Sequence, residues 1–228
     1  MEEYSLSRLE EKIGYTFEKK EFLKQAMTHS SFTNEQKINQ QAHYERIEFL
    51  GDAVLELVSS EFLYFADPEM TEGNLTKTRA SIVCEQALAI TGRELELGKY
   101  MLFGRGEEAT GGRERESIIA DSVEAVIGAI YLDGGMECAK KFIERFVLND
   151  LEHKKLFYDA KSMLQELVQE KKAGELTYVL LREEGPEHNK QFYVAAMLQD
   201  KQIGTGAGRS KKHAEQQAAY EALMKMKK

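Results

Sequence analysis

The sequence predicts two domains: an all-α unit over residues 1–152 and a small α+β unit of order α-β-β-β-α over 159–228, joined by a linker at 153–158. Three observations predict it. Apolar residues recur at helical spacing through the first part, and no strand pattern of useful length appears before residue 175. Two strand-like runs, 176–183 and 191–198, then fall between helical stretches. The charge divides at the same place: residues 1–158 hold 19 Lys+Arg and 29 Asp+Glu, net −10, while residues 159–228 hold 12 and 10, net +2. The overall charge of −8 therefore hides a locally basic tail and does not argue against a nucleic-acid partner.

A chain of 228 residues can bury one large core or two smaller ones. Apolar content of 42% and charged content of 31% are ordinary for a soluble globular protein. Cys84 and Cys138 lie in apolar-periodic stretches without C-x-x-C spacing, so free buried thiols in a reducing compartment are expected. The acidic start Met-Glu-Glu-Tyr is no signal peptide, and no apolar run approaches a membrane span. The expected location is the cytoplasm, with no membrane partner.

Taken in order, residues 5–14 read as an amphipathic helix ending at Gly14, and 18–28 as a second with Phe22, Leu23 and Ala26 inward. The polar run 33–43 reads as a loop. His29 and His43 have no second His or Cys at metal spacing and read as hydrogen-bonding residues. A helix from about 43 to 65 stops before Asp67-Pro68, and another opens at Thr71 and continues to about Thr91. Glu72 sits near that helix start, where the macrodipole favours an acid. The segment 104–115 has four glycines and alternating charges but neither a preceding strand nor a phosphate-loop lysine. It reads as a flexible connection, and a nucleotide cofactor is not expected.

Two helices share an unusual design. In the helix from 43, Ile47, Leu50, Val54, Leu57 and Val58 form an apolar face, while Glu45, Glu48, Asp52 and Glu56 gather on the other side at i, i+3, i+7 and i+11. Like charges so spaced cost an isolated helix a few tenths of a kcal/mol each. Phe49 lies about 40° from Glu45 on the wheel, among the acids, which suggests a partner surface. Gly51 costs a helix interior roughly 1 kcal/mol against Ala, which a close backbone neighbour would explain. The helix at 117–131 repeats the pattern: Ile119, Val123, Val126, Ile127 and Ile130 face the core, and Asp121 and Glu124 share the other side with Gly128. Residues 137–152 form one further amphipathic helix.

In the tail, 159–172 is helical, a third short strand lies around 201–204, and a helix from about 210 to 226 has an alanine-rich apolar side. Arg209, Ser210, Lys211 and Lys212 at that helix start make a phosphate site, and His188 and Lys190 lie in or beside the long hairpin loop. Separated contact points on a rigid face suit duplex RNA, which is read by shape, 2′-hydroxyls and phosphates across about 16 bp.

Residues 45–55, Glu-Arg-Ile-Glu-Phe-Leu-Gly-Asp-Ala-Val-Leu, resemble the signature of the bacterial ribonuclease III family, with Ile47 where Leu is usual. Further marks of that family stand at 14–17 (Gly-Tyr-Thr-Phe), 28–30 (Thr-His-Ser), 72–75 (Glu-Gly-Asn-Leu) with Arg79-Ala80, and 121–125 (Asp-Ser-Val-Glu-Ala). The run Gly206-x-Gly208-x-Ser210-Lys-Lys212-x-Ala214 is similar to a double-stranded-RNA-binding domain.

The resemblance implies a homodimer that holds an RNA duplex in a valley between helical nuclease domains and cuts both strands, leaving 5′-phosphate and 3′-hydroxyl ends. It implies Mg²⁺, for which Mn²⁺ can substitute, on Glu48, Asp121 and Glu124, with Asp52 as a catalytic neighbour. Glu45 and Glu72 would line the valley, and Phe49 would plug a socket on the other subunit. Gln165, Glu166, His188, Lys211, Lys212 and Gln216 would touch RNA. Two other readings remain: a duplex-RNA-binding regulator that no longer cuts, and a helical phosphohydrolase of small nucleotides, which would not need residues 159–228.

Overall fold

The computed structural model describes residues 3–37, 42–149, 160–185, 190–208 and 210–226. The chain divides into two compact units, Met1–Asn149 and Asp150–Lys228. The linker expected at 153–158 lies outside the described residues, as do His188 and Arg209.

The first unit is helical: α1 (Glu3–Ile13), α2 (Lys20–Ala26), α3 (Ser30–Gln36), α4 (Glu45–Ala66), α5 (Glu72–Ile82), α6 (Glu85–Glu94), α7 (Arg105–Ala109) and α8 (Glu116–Phe142). Its β pairing among the described residues is one isolated parallel bridge, Thr28 to Leu102. Helix α8 is central, packed by α2, α4 and α6. It is buried almost all round rather than on one face: Ala120, Ala125 and Ala129 are as enclosed as Ile119, Val123 and Ile127. Gly135 interrupts it at φ 75°, a left-handed backbone that glycine adopts without steric cost. The helices read separately at 117–131 and 137–152 therefore meet at a break in one rod, which ends in a π-helical turn, Ile143–Val147.

Several expectations are corrected. The run 33–43 is not all loop: His29 Nδ1 accepts the Ser31 N–H and starts α3. The single helix expected from 71 to 91 is two, because Cys84 takes an extended conformation and opens α6. Residues 104–115 contain α7 and a 3₁₀ turn, fixed by Arg113, whose guanidinium donates to the carbonyls of Gly98 and Met101. Leu57 does not join the buried face of α4. It is 59% exposed, on the same side as Phe49 at 78% and Tyr64 at 66%, while Leu55 and Ser59 are buried instead. Both cysteines are free but only partly buried.

The mark Gly14-Tyr-Thr-Phe17 proves to be a docking device. Gly14, at φ 71°, ends α1. The Tyr15 hydroxyl then donates to Asp133 Oδ2 at 2.9 Å, and the Phe17 N–H donates to the buried Glu10 carboxylate at 2.9 Å. The same Asp133 accepts the N–H groups of Glu18 and Lys19, so one carboxylate two residues before the Gly135 break of α8 holds Tyr15 and the two residues after Phe17.

The second unit runs α9 (Ala160–Glu170), β1 (Leu176–Glu184), β2 (Gln191–Leu198), β3 (Lys201–Gly208) and α10 (Lys211–Met226). The sheet is antiparallel in the order β1-β2-β3, with Val194 opposite both Leu180 and Gly206. Leu164 and Val168 of α9, Val194 and Ala196 of β2, and Ala214 and Ala218 of α10 form its core. Strand β3 runs to Gly208, four residues past the expected end. A Cβ on Gly206 would stand 2.1 Å from the Ala214 carbonyl oxygen, so the glycines lie under α10 instead of leading into it.

Candidate active site

The site is built on the crossing of α4 and α8. A Cβ on Gly51 would lie 1.8 Å from the Glu124 backbone oxygen, and one on Gly128 would lie 2.2 Å from that of Ile47. The helices thus touch backbone to backbone at the two glycines the sequence singled out, closer than side chains permit. Glu48 stands one turn before Gly51 and Asp52 directly after it; on α8, Glu124 stands one turn before Gly128, and Asp121 one turn before that. The seam therefore brings the four carboxylates to one side of the unit.

Their electrostatics record the convergence. Burial first, then the charges of Asp121, Glu45 and Asp52, push the Glu48 acid up to about 7. Burial first, then Asp52, Glu48, Asp121 and Glu56, push Glu124 up to about 8. Asp121 is raised by burial too, opposed by the Tyr44 hydroxyl, which donates to its Oδ2 at 3.2 Å. Like charges held half-buried without a matching cation are costly, and hard oxygen donors of this kind suit a divalent cation. Among the described residues no three such side chains are already gathered into a ready coordination sphere. The donor set and its surplus charge fit a hard divalent ion; Glu48 and Glu124, each with three rotatable side-chain bonds, can close the remaining distance.

Tyr44 went unmarked in the sequence because its partner is 77 residues away. The Thr-His-Ser mark supplies its support: the Tyr44 N–H donates to the Thr28 carbonyl at 3.0 Å, and its ring lies 5.7 Å from that of His29. Burial lowers the His29 pKa, which keeps Nδ1 an acceptor for the Ser31 N–H.

The outer acids differ. Glu45 is exposed on the rim, its charge felt by Glu48 and Asp121. Glu72 stands exposed at the start of α5, accepting from the Thr76 hydroxyl at 3.0 Å, and it is not among the charges that shift Glu48, Asp121 and Glu124. Phe49 points outward, as its wheel position required.

In the second unit Gln165 and Glu166 are exposed on α9, and Gln216 is partly buried on α10. Ser210 accepts the His213 N–H at 3.2 Å, an N-cap role, while Lys211 and Lys212 are exposed beside it. Lys190 and Lys211 share Glu183, at 2.6 and 3.5 Å, and both lie 5.8 Å from the Phe192 ring centroid. That shared carboxylate sits 28 residues before Lys211, and the sequence reading missed it.

Residues 19–151 match the model of a family described as ribonuclease-III-like, and residues 160–226 match the double-stranded RNA binding motif. A "Ribonuclease 3" of Pelotomaculum thermopropionicum is 48% identical over 223 residues, 96% of this chain and 92% of the relative. One from Caldanaerobacter subterraneus is 46% identical, covering 97% and 98%. The first unit is similar to the nuclease domain of ribonuclease III from Campylobacter jejuni, with a TM-score of 0.58, 41% identity, and coverage of 62% of this chain and 95% of that one. That structure is described as showing structural flexibility in a region involved in dimer formation.

Proposed function

The chain belongs to the ribonuclease III family of double-stranded-RNA endoribonucleases, and from that premise we propose that it works as a Mg²⁺-dependent homodimer whose chemistry lies at the α4–α8 seam. The family implies dependence on a divalent metal; Mg²⁺ is the choice consistent with an all-carboxylate donor set, with Mn²⁺ able to replace it. The observation that carries the assignment is the half-buried meeting of Glu48, Asp121 and Glu124 beside Asp52.

Bound divalent ions supply an activated water and offset charge on the phosphate oxygens. Glu48, Asp121 and Glu124 would hold them. Tyr44, by donating to Asp121 Oδ2, would fix the orientation of that carboxylate. Asp52 is the exposed member, so its carboxylate is assigned as the general base that would take the proton of the attacking water. Glu45 and Glu72 would act at the rim and along the RNA. Lys190, Lys211 and Lys212 would contact phosphates, joined by Ser210, Gln165, Glu166, His188 and Gln216. Phe49 would bury its ring in a second copy. The substrates would be ribosomal RNA precursors and other structured transcripts in the cytoplasm; no described helix is long and apolar enough to cross a membrane.

The test is a labelled RNA hairpin incubated with the protein and Mg²⁺, or with chelator. Discrete products with 5′-phosphate ends, formed only with the metal, are expected. Tight binding without cleavage would favour the non-cutting regulator.

A further inference from the structure

The carboxylate stripe of α4 does not stop at Asp52. Glu56 continues it one turn on, and its charge reaches Glu124. It is matched by an arginine: Arg79 of α5 places Nε 2.8 Å from Glu56 Oε2 and donates from Nη1 to Ser60 Oγ at 2.7 Å. Ser60 Oγ in turn donates to the Glu56 carbonyl at 2.6 Å. The planar guanidinium fork thus spans two acceptors one turn apart, a geometry a lysine ammonium does not reproduce.

The pair is not there chiefly for stability. Both side chains are more than a third exposed or close to it, at 35% and 38%, and ion pairs so placed contribute little. Nor does Arg79 complete a well-packed helix, since Ser81 and Ile82 are the buried residues of α5. What the pair changes is charge at the edge of a surface that must accept a polyanion.

We propose that Arg79 is a positioning residue of the nuclease site: by holding and cancelling Glu56 it ends the negative stripe at Asp52, so that RNA phosphate can approach the seam without a fifth, uncompensated carboxylate beside it. This rests on the nuclease reading above. It also separates two roles along one helix face: Glu48 and Asp52 serve the reaction, and Glu56 is neutralised for binding.

A double-mutant cycle tests it, with duplex affinity measured in Ca²⁺ at two salt concentrations, cleavage in Mg²⁺, melting temperature, and Mn²⁺ binding by electron paramagnetic resonance without RNA. Arg79→Ala should weaken duplex binding several-fold, less so at high salt because screening shortens the reach of the bared Glu56 charge. It should bind Mn²⁺ at least as tightly as the wild type and melt close to it. Glu56→Gln should bind duplex more tightly, and Arg79→Ala/Glu56→Gln should return to wild-type affinity. Glu61→Gln, the same charge change on α4 but paired to Lys140, should not rescue Arg79→Ala. A double variant no better than Arg79→Ala, or a salt-independent loss, would overturn the charge role. Equal rescue by Glu61→Gln would overturn the pairing. A wild-type protein that neither binds nor cuts duplex would overturn the nuclease reading itself.

Discussion

The backbone oxygen of Glu124 occupies the space where Gly51 would carry a Cβ, 1.8 Å from that position. The residue assigned to the chemistry and the residue that lets its helix approach are therefore in direct contact. Gly51→Ala must push α4 and α8 apart, since both sides of the contact are backbone. Overpacking of about 3 kcal/mol would lower the melting temperature by roughly 6–12 °C in a protein of this size, and cleavage should fall with it. Gly73 is the control: nothing lies within 4 Å of its Cβ position, so Gly73→Ala in α5 should be neutral or stabilise by up to about 1 kcal/mol. Two thermal melts decide between opposite signs for the same substitution.

The Asp133 clamp gives a pH dependence. Burial would raise its acid, but the N–H groups of Lys19 and Glu18 and the Tyr15 hydroxyl hold it below the usual carboxylate value of 3.8. A carboxylate lowered in the folded state contributes stability above its unfolded pKa and loses it as pH falls through the folded one. Asp133→Asn should therefore melt below the wild type at pH 7, and the gap should close as both are taken below about pH 4. A gap independent of pH would remove the charge from the explanation.

Much of this was legible in the sequence, and the limits have physical causes. Helical periodicity located α4 and most of α8 and put the acids beside a glycine on each, because side-chain direction in a helix follows from residue number; that the two glycines meet is a matter of packing. Leu57 was misassigned because a wheel does not say how wide the buried arc is: Phe49, Leu57 and Tyr64 form a second, outward stripe. The break at Cys84 and the ordering of 104–115 depend on packing and on Arg113 reaching carbonyls 12 and 15 residues away, which local pattern does not encode. Likewise the Tyr44–Asp121 and Arg79–Glu56 contacts join residues far apart in the chain.

The outward stripe predicts self-association. For the proposed homodimer, Phe49→Ala combined with Leu57→Ser should shift dimer to monomer in light scattering at micromolar concentration, with the helical circular-dichroism signal retained. Dimers that persist unchanged would place the interface elsewhere.

Binding by the second unit should be strongly salt-dependent, since each phosphate contact releases counterions. Replacing Lys211 or Lys212 by Ala should reduce the slope of log affinity against log salt by about 1 each, across duplex sequences alike. A slope unaffected by both would move the phosphate site away from the start of α10.

The most direct measurement is single-turnover cleavage of a duplex hairpin by Glu124→Gln, with gel-shift binding measured alongside. Glutamine keeps the shape but cannot ionise to hold a cation, so the variant should fold, bind RNA as the wild type does, and cut at least about 10²–10³-fold more slowly. Cleavage at the wild-type rate would show that the carboxylates gathered at the α4–α8 seam are not where the phosphodiester is broken.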